Sequence, residues 1–307
     1  VRAAVSPEAA ELILAGAPRS PGEIYGAAER EKPPGSFDLP RRAFLRNRSL
    51  RWDSASCNVA GLLEGSDPVL RDEVVVYMAH LDHLGVGIPA DGDSIYNGAY
   101  DNASGVAVLL EVARAAAGLA SPPRRSLLFL AVTGEEKGLL GSEVFAERPT
   151  VVPRRVVGSI NLDMFLMLHP FLDVVAFGAE HSTMGGAVER AATRMGIGVS
   201  PDPIPEEVIF VRSDQYSLVK KGIPSIFLVG GFETGDPARD GKALYEAWNR
   251  DVYHRPGDDM TQAIDFEAGA RFAETNLRIG LEIADADDPP RWIPGDFFGE
   301  RFGTGGP

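Results

Sequence analysis

Three apolar runs, each closed by an imidazole or a carboxylate, constrain this chain more than any other feature. VVVYMAH (74–80), SLLFLAVTG (126–134) and VVGSINLDM (156–164) are aliphatic and β-branched over most of their length. Runs this short and this apolar read as strands covered on both faces. Further strands are expected at NVAGLLEG (58–65), LDVVAFG (172–178) and IPSIFLVGG (223–231). Helical patterns alternate with them, at 101–119 (with Val106, Leu109, Leu110 and Ala113 on one face), 139–149, 183–196, 213–222 with Ser213 as its cap, and 261–286. Strands alternating with helices predict an α/β fold, in which functional loops collect at the carboxyl ends of the strands.

The flanking segments are less patterned. A short helix is expected after Ser6, which can cap it ahead of Pro7. The stretch 29–42 is rich in Pro and charge and reads as a loop, as does 231–259. The expected organisation is a lead-in at 1–55 packing on a catalytic domain at 56–290, followed by an irregular Gly/Pro-rich tail at 291–307.

Composition excludes several classes. The 307 residues carry a formal net charge of −14, which disfavours nucleic acid and anionic membranes as partners. No apolar run is long enough to span a membrane. Cys57 is the only cysteine, so internal disulfides and cysteine-based zinc sites are excluded, and it reads as a small buried residue. The segment starting at Val1 has no signal-peptide pattern.

Five polar clusters stand out, three of them directly after the apolar runs: His80 with Asp82, the pair Glu135-Glu136 and Asp163, with Asp101 in NGAYDNASG at a helix start and His254 in VYHRPGDD. Singly, each has an ordinary structural role. Asp101 can cap its helix, and Glu135-Glu136 can be a solvated pair. Asp163 in an apolar strand needs a partner. Gathered on one rim, they make a nitrogen- and oxygen-rich site suited to zinc, with other divalent ions also accommodated.

The strings AHLDHLG, GAYDNASG, GEEKGLLGS, NLDM, RSDQYSLVKKGIPSIF and YHRPGDD occur in this order. The set resembles the co-catalytic di-zinc aminopeptidases of metallopeptidase family 28, bacterial type, over about residues 56–260. The resemblance implies a mixed, mostly parallel eight-stranded sheet sandwiched by helices and two zinc ions per chain. It implies His80 and Asp163 on the first ion, Asp101 bridging both, and Glu136 and His254 on the second. Asp82 would hold the His80 ring through its other nitrogen. Glu135 would be general base toward a metal-bridging water, and Tyr253 an oxyanion donor. Substrates would be peptides with a free N-terminus, and relatives of this kind are often secreted or periplasmic.

The pattern leaves His83, His169 and His181 unassigned, as packing or surface residues. Asp258 and Asp259 read as turn residues, and Asp214 reads equally as a pocket-lining residue or a helix N-terminal group. Tyr100 stands where Asp is common before the bridging residue, and Gln215 where His is common. Phe165, Leu166 and Met167 follow Asp163 and lean the preference toward hydrophobic N-terminal residues. The alternatives on the same fold are a carboxypeptidase, a dipeptidase or a glutaminyl cyclase, and a non-catalytic binding module.

Overall fold

The computed structural model describes residues 5–303 except 31, 33, 34, 43, 45, 47, 49, 51, 52, 152 and 153. Parts of the expected loop at 29–42 and the last four residues of the expected tail lie outside the described residues. The chain divides into two units, Val1–Ser54 and Ala55–Pro307.

The first unit contains two short helices, α1 (Pro7–Leu14) and α2 (Pro21–Glu29). Ser6 caps α1 as expected, accepting from the Ala9 amide at 3.2 Å. Helix α2 was not anticipated, although its signal is readable. Ser20 and Glu23 form a reciprocal capping box around Pro21, with the Ser20 amide donating to Glu23 at 2.8 Å.

The second unit runs β1 (Val59–Leu63), β2 (Glu73–His80), β3 (Gly85–Ala90), β4 (Asp93–Tyr96), α3 (Gly105–Ala117), β5 (Ser126–Val132), α4 (Leu140–Glu147), β6 (Arg155–Asn161) and β7 (Asp173–Phe177). It continues through α5 (Met184–Met195), β8 (Gly198–Ser200), α6 (Gln215–Val219), β9 (Ser225–Gly230), α7 (Gly241–Asp251), α8 (Phe266–Ala284) and α9 (Phe297–Phe302). The main sheet has the order β1-β5-β2-β6-β9-β7-β8, and β3 with β4 forms a separate hairpin. The centre β5-β2-β6-β9 is parallel, whereas β1 and the β7–β9 pairing are antiparallel. The sheet is thus mixed and mostly parallel, with seven strands among the described residues rather than eight.

Alternate side chains of β2 feed two cores. Val75, Tyr77 and Ala79 pack with residues of α3, α5 and α8, while Val74, Val76 and Met78 pack with Phe145 of α4 and Leu218 of α6. This period-two division of a fully buried strand explains why β2 reads as a continuous apolar run.

Five local expectations need correction. The helix after Asp101 begins at Gly105, and its buried face is Val108, Leu109, Val112 and Ala116, with Leu110 exposed. The stretch 231–259 contains α7, capped by Asp240, and the tail contains α9, capped by Asp296. Cys57 is exposed. Helix α6 starts two residues beyond Ser213, whose hydroxyl is used elsewhere. Among the described residues, no helix is long and apolar enough to cross a membrane.

Candidate metal centre

Parallel register brings three of the expected residues together. His80 ends β2 opposite Val132 of β5, and Met78 lies opposite Asn161 of β6. Past these ends, the Leu81 amide still donates to Val132 (2.8 Å) and Leu162 to Met78 (2.7 Å). Glu135 follows Val132 by three residues and Asp163 follows Asn161 by two, so both are delivered to the rim where His80 stands.

Asp101 arrives by another route. It belongs to an irregular turn at 99–104, ahead of α3, and caps nothing there. Gly98 opens that turn with φ +71°, and a Cβ on it would lie 2.2 Å from the Asp101 carbonyl oxygen. Asn102 ties the turn to the Asp163 segment, donating to Leu162 O (3.0 Å) and accepting from the Met164 amide (3.2 Å). Gly105 lets the two backbones approach, since a Cβ there would sit 2.3 Å from Leu162 O. Beneath the turn lies Asp258, fully buried, whose two oxygens accept from the amides of Tyr100 (2.8 Å) and Asp101 (3.0 Å). Asp258 is therefore a positioning residue rather than an ordinary turn acid.

The side chains form two groups that share Asp101. In the first, His80 Nε2 lies 3.2 Å from Asp101 Oδ1 and 3.2 Å from Asp163 Oδ1. In the second, His254 Nε2 lies 3.1 Å from Asp101 Oδ2 and 3.3 Å from Glu136 Oε1. His83, left out of the expected set, also enters the second group, with Nδ1 2.9 Å from Glu136 Oε1. His80–Asp101–Asp163 and His83–Asp101–Glu136 each have ligand-type atoms close enough to share one ion.

Electrostatics support a cation at this place. His80 Nδ1 donates to the backbone oxygen of Asp82 at 3.1 Å, which leaves Nε2 facing two carboxylates. Burial alone would lower the His80 pKa, but the charge of Asp163 and the hydrogen bonds to Asp101 and Asp163 raise it to about 12. Nε2 is thus a place for positive charge, a proton in the chain alone or a metal ion when one is bound. Burial raises Glu136, yet the His254 and His83 rings close to it outweigh that and hold the carboxyl down at about 2. The Asp101 and Glu136 carboxylates beside its Nε2 lift His254 to about 9 against its burial. An imidazole and carboxylate donor set of this kind fits zinc.

Surrounding residues hold the donors. Ser213 donates to Asp163 Oδ2 at 2.6 Å, and Asn161 bridges Ser213 (2.8 Å) and Gln215 (2.9 Å). Gln215 also donates to Phe210 O at 2.8 Å, so it is a structural link where a His is common. Asp82 departs from expectation. Its carboxylate is 3.9 Å from His80 Nδ1 and instead accepts from the amides of Glu135 (3.1 Å) and Glu136 (3.3 Å). The ring contact belongs to its backbone, and the side chain anchors the acidic turn. Glu135 is partly buried, and desolvation followed by the charge of Asp163 raises its pKa to about 8.

A cavity of about 180 Å³ opens on the cluster, lined by His80, Asp101, Glu135, Asp163, Tyr253 and His254 and by the apolar Phe171, Phe177, Ile204, Ile209, Phe227 and Val229. Phe165 and Leu166 also line it, but Met167 turns away against Gly269 of α8. Tyr253 stacks on His254 with ring centroids 3.9 Å apart, and burial raises its phenol pKa. His169, expected to be structural or surface, is buried and lines the cavity. His181 is structural, pairing with Asp296 at 2.6 Å. Tyr100 is core, its hydroxyl donating to Ala263 O at 2.8 Å.

The sheet and the shared carboxylate define a class, an α/β protein with a candidate metal centre at the carboxyl ends of its strands. The model described as Peptidase family M28 matches residues 58–279, and the chain belongs to that family. It is 28% identical over 264 residues to a probable zinc metalloprotease of Pyricularia oryzae, covering 76% of this chain and 50% of that protein. The chain spans about half the length of the curated relatives it matches. Among solved structures, a zinc aminopeptidase from Bacillus subtilis superposes with a TM-score of 0.54 at 22% identity, covering 75% of this chain and 51% of that one. A glutaminyl cyclase from Porphyromonas gingivalis gives 0.52 at 21%, covering 72% and 76%. At these identities the likenesses speak to fold alone.

Proposed function

We propose that this chain is a zinc aminopeptidase that removes N-terminal residues from peptides and holds two zinc ions. The observation that carries this reading is the Asp101 carboxylate, which offers one oxygen to each of two donor groups. His80, Asp101 and Asp163 would hold the first ion, and Asp101, Glu136 and His254 the second. Zinc bound there would acidify a water and polarise the scissile carbonyl.

The remaining chemistry falls to side chains. Glu135 accepts a proton from the attacking water and passes it to the leaving nitrogen. Its partial burial favours the protonated form relative to an exposed carboxyl, which helps it hold that proton until delivery. The Tyr253 hydroxyl, kept neutral by burial, donates toward the developing oxyanion. Asp82 keeps Glu135 and Glu136 in register through their amides.

Charge favours an amine end over a carboxyl end. With Asp101 and Asp163 committed to the ions, Glu135 and Glu207 remain as acidic groups in the cavity lining, and its one Arg, Arg212, is engaged by Glu207 at 2.7 Å. A free ammonium suits that lining, whereas a C-terminal carboxylate finds no uncommitted Lys or Arg among the described residues that line the cavity. The apolar lining suits a hydrophobic first residue. By resemblance, the protein works outside the cytoplasm, which fractionation of producing cells would test.

Glu135→Gln separates these claims. The variant should keep the zinc content of the parent while kcat falls by about 10²–10⁴. Undiminished turnover would remove Glu135 as the base. Aminoacyl anilides, C-terminal dipeptide substrates and N-terminal glutaminyl peptides, assayed side by side, separate aminopeptidase, carboxypeptidase and cyclase. Turnover of either of the latter two alone would reject the proposal.

A further inference from the structure

The His83 ring is buried, its side chain 8% exposed, and it packs edge-on against His254 with centroids 5.6 Å apart. The chain holds it there by close packing, since a Cβ on Gly98 would lie 2.6 Å from its Cγ. Nδ1 is 2.9 Å from Glu136 Oε1 and 3.9 Å from Asp101 Oδ2. Despite that short separation, His83 Nδ1 and Glu136 Oε1 are not aligned for a hydrogen bond. Both ring nitrogens of His83 and Glu136 Oε1 are buried without a hydrogen-bond partner.

Buried polar atoms left bare are costly, on the order of 1–3 kcal/mol each, so they need a common partner. One ion between His83, Asp101 and Glu136, whose ligand atoms lie close enough to share it, would satisfy both His83 Nδ1 and Glu136 Oε1. Donors 2.0–2.2 Å from one ion stand roughly 3.0–3.4 Å apart at the angles of four- or five-coordinate zinc. His83 Nδ1 and Glu136 Oε1 lie close to that spacing. His254 Nε2 is 3.3 Å from the same Glu136 oxygen and 3.1 Å from Asp101 Oδ2. The four donors come from four segments, the ends of β2 and β5, the turn before α3, and the loop after α7.

We propose that His83 is a fourth protein donor to the ion held by Asp101, Glu136 and His254, through Nδ1. The second position is then a two-histidine, two-carboxylate site. The first rests on one histidine. His83 compensates for the partial exposure of His254 by adding a donor from the buried side. This inference rests on the two-zinc reading above.

Equilibrium dialysis against a series of zinc buffers tests it, with zinc per chain measured by mass spectrometry in the whole protein. The parent should take up two ions. His83→Ala should keep the tighter ion at unchanged affinity and bind the other at least about 10-fold more weakly, the lower end of what losing even an outer partner costs. His83→Asn, whose amide oxygen stands about where Nδ1 does but is a weaker donor to zinc than imidazole, should fall between His83→Ala and the parent. A parent that takes up fewer than two ions overturns the two-zinc reading and this proposal with it. Two ions in the parent and unchanged affinity in His83→Ala overturn this proposal alone. Should the variants fail to fold, ¹⁵N imidazole shifts of the unmodified protein decide. A zinc-dependent shift of His83 Nδ1 supports the assignment, and no shift at two equivalents of zinc refutes it.

Discussion

The two halves of the metal centre share Asp101 but are built differently. His80 and Asp163 sit at strand ends and are 1% and 7% exposed. Their backbones are held by the sheet and their side chains by Ser213 and the Asp82 carbonyl. Glu136 and His254 come from a tight turn and a loop, and the His254 side chain is 34% exposed. His254 also takes a left-handed backbone, φ +55°, that non-glycine residues seldom adopt. Donors fixed by a sheet lose little freedom when an ion binds, whereas loop donors lose more. The first half should therefore be the tighter, and the second the one that tunes occupancy.

The largest effect that would break this comparison is on metal affinity. His80→Ala should remove the tighter ion, by more than the 10–100-fold that outer partners command. His254→Ala should leave that ion in place and weaken only the other. Zinc per chain over a buffered series reads both, and loss of the tighter ion in His254→Ala would reverse the assignment.

A smaller effect concerns the shared carboxylate. Asp258→Ala leaves the buried amides of Tyr100 and Asp101 without their acceptor, costing roughly 2–4 kcal/mol of stability. Asp258→Asn keeps one acceptor oxygen and should cost less. Urea unfolding of the metal-free chain compares them. Equal stability of parent and Asp258→Ala would show that the turn is held by other contacts.

The smallest is a pH effect behind the first half. Asp214 is fully buried and neither oxygen has a hydrogen-bond partner, the nearby Ser142 hydroxyl being engaged with Leu139 O (3.1 Å) and Ser217 Oγ (3.0 Å). Burial raises its pKa from 3.8 to about 7. The folded chain thus keeps a proton that the unfolded chain releases, so stability falls as pH rises from about 4 to about 7 and then levels. Asp214→Asn should remove that part of the slope, on the order of 1–4 kcal/mol between pH 5 and pH 8 in the metal-free protein. Parallel stability–pH curves for parent and variant would take Asp214 out of the account.

Residues whose role is local were legible in the chain. The apolar runs that became β2, β5 and β6 announce burial on both faces, and their terminal His80, Glu135 and Asp163 follow from strand length. Ser6, Ser20 and Asp240 cap helices by contacts within three residues. Helices α2 and α7 carry those signals, but the Pro, Gly and charge near them read as loop. Other residues act through partners remote in the chain. Asp258 and Asp101 are 157 residues apart, and nothing beside Asp258 in the sequence distinguishes it from Asp259.

Composition and pattern alone established an α/β sheet and the order in which imidazoles and carboxylates reach its rim. Those properties depend on side-chain period and on neighbours a few residues away. Tertiary packing decided which oxygen of Asp101 faces which partner, that the Asp82 side chain grips the acidic turn rather than the His80 ring, and that His83 turns inward to Glu136. Gly105 lets the turn before α3 approach the Leu162 backbone and Gly98 leaves room for the His83 ring, and at both a single Cβ would collide. Contacts of that kind exist only once the sheet has brought its strand ends together.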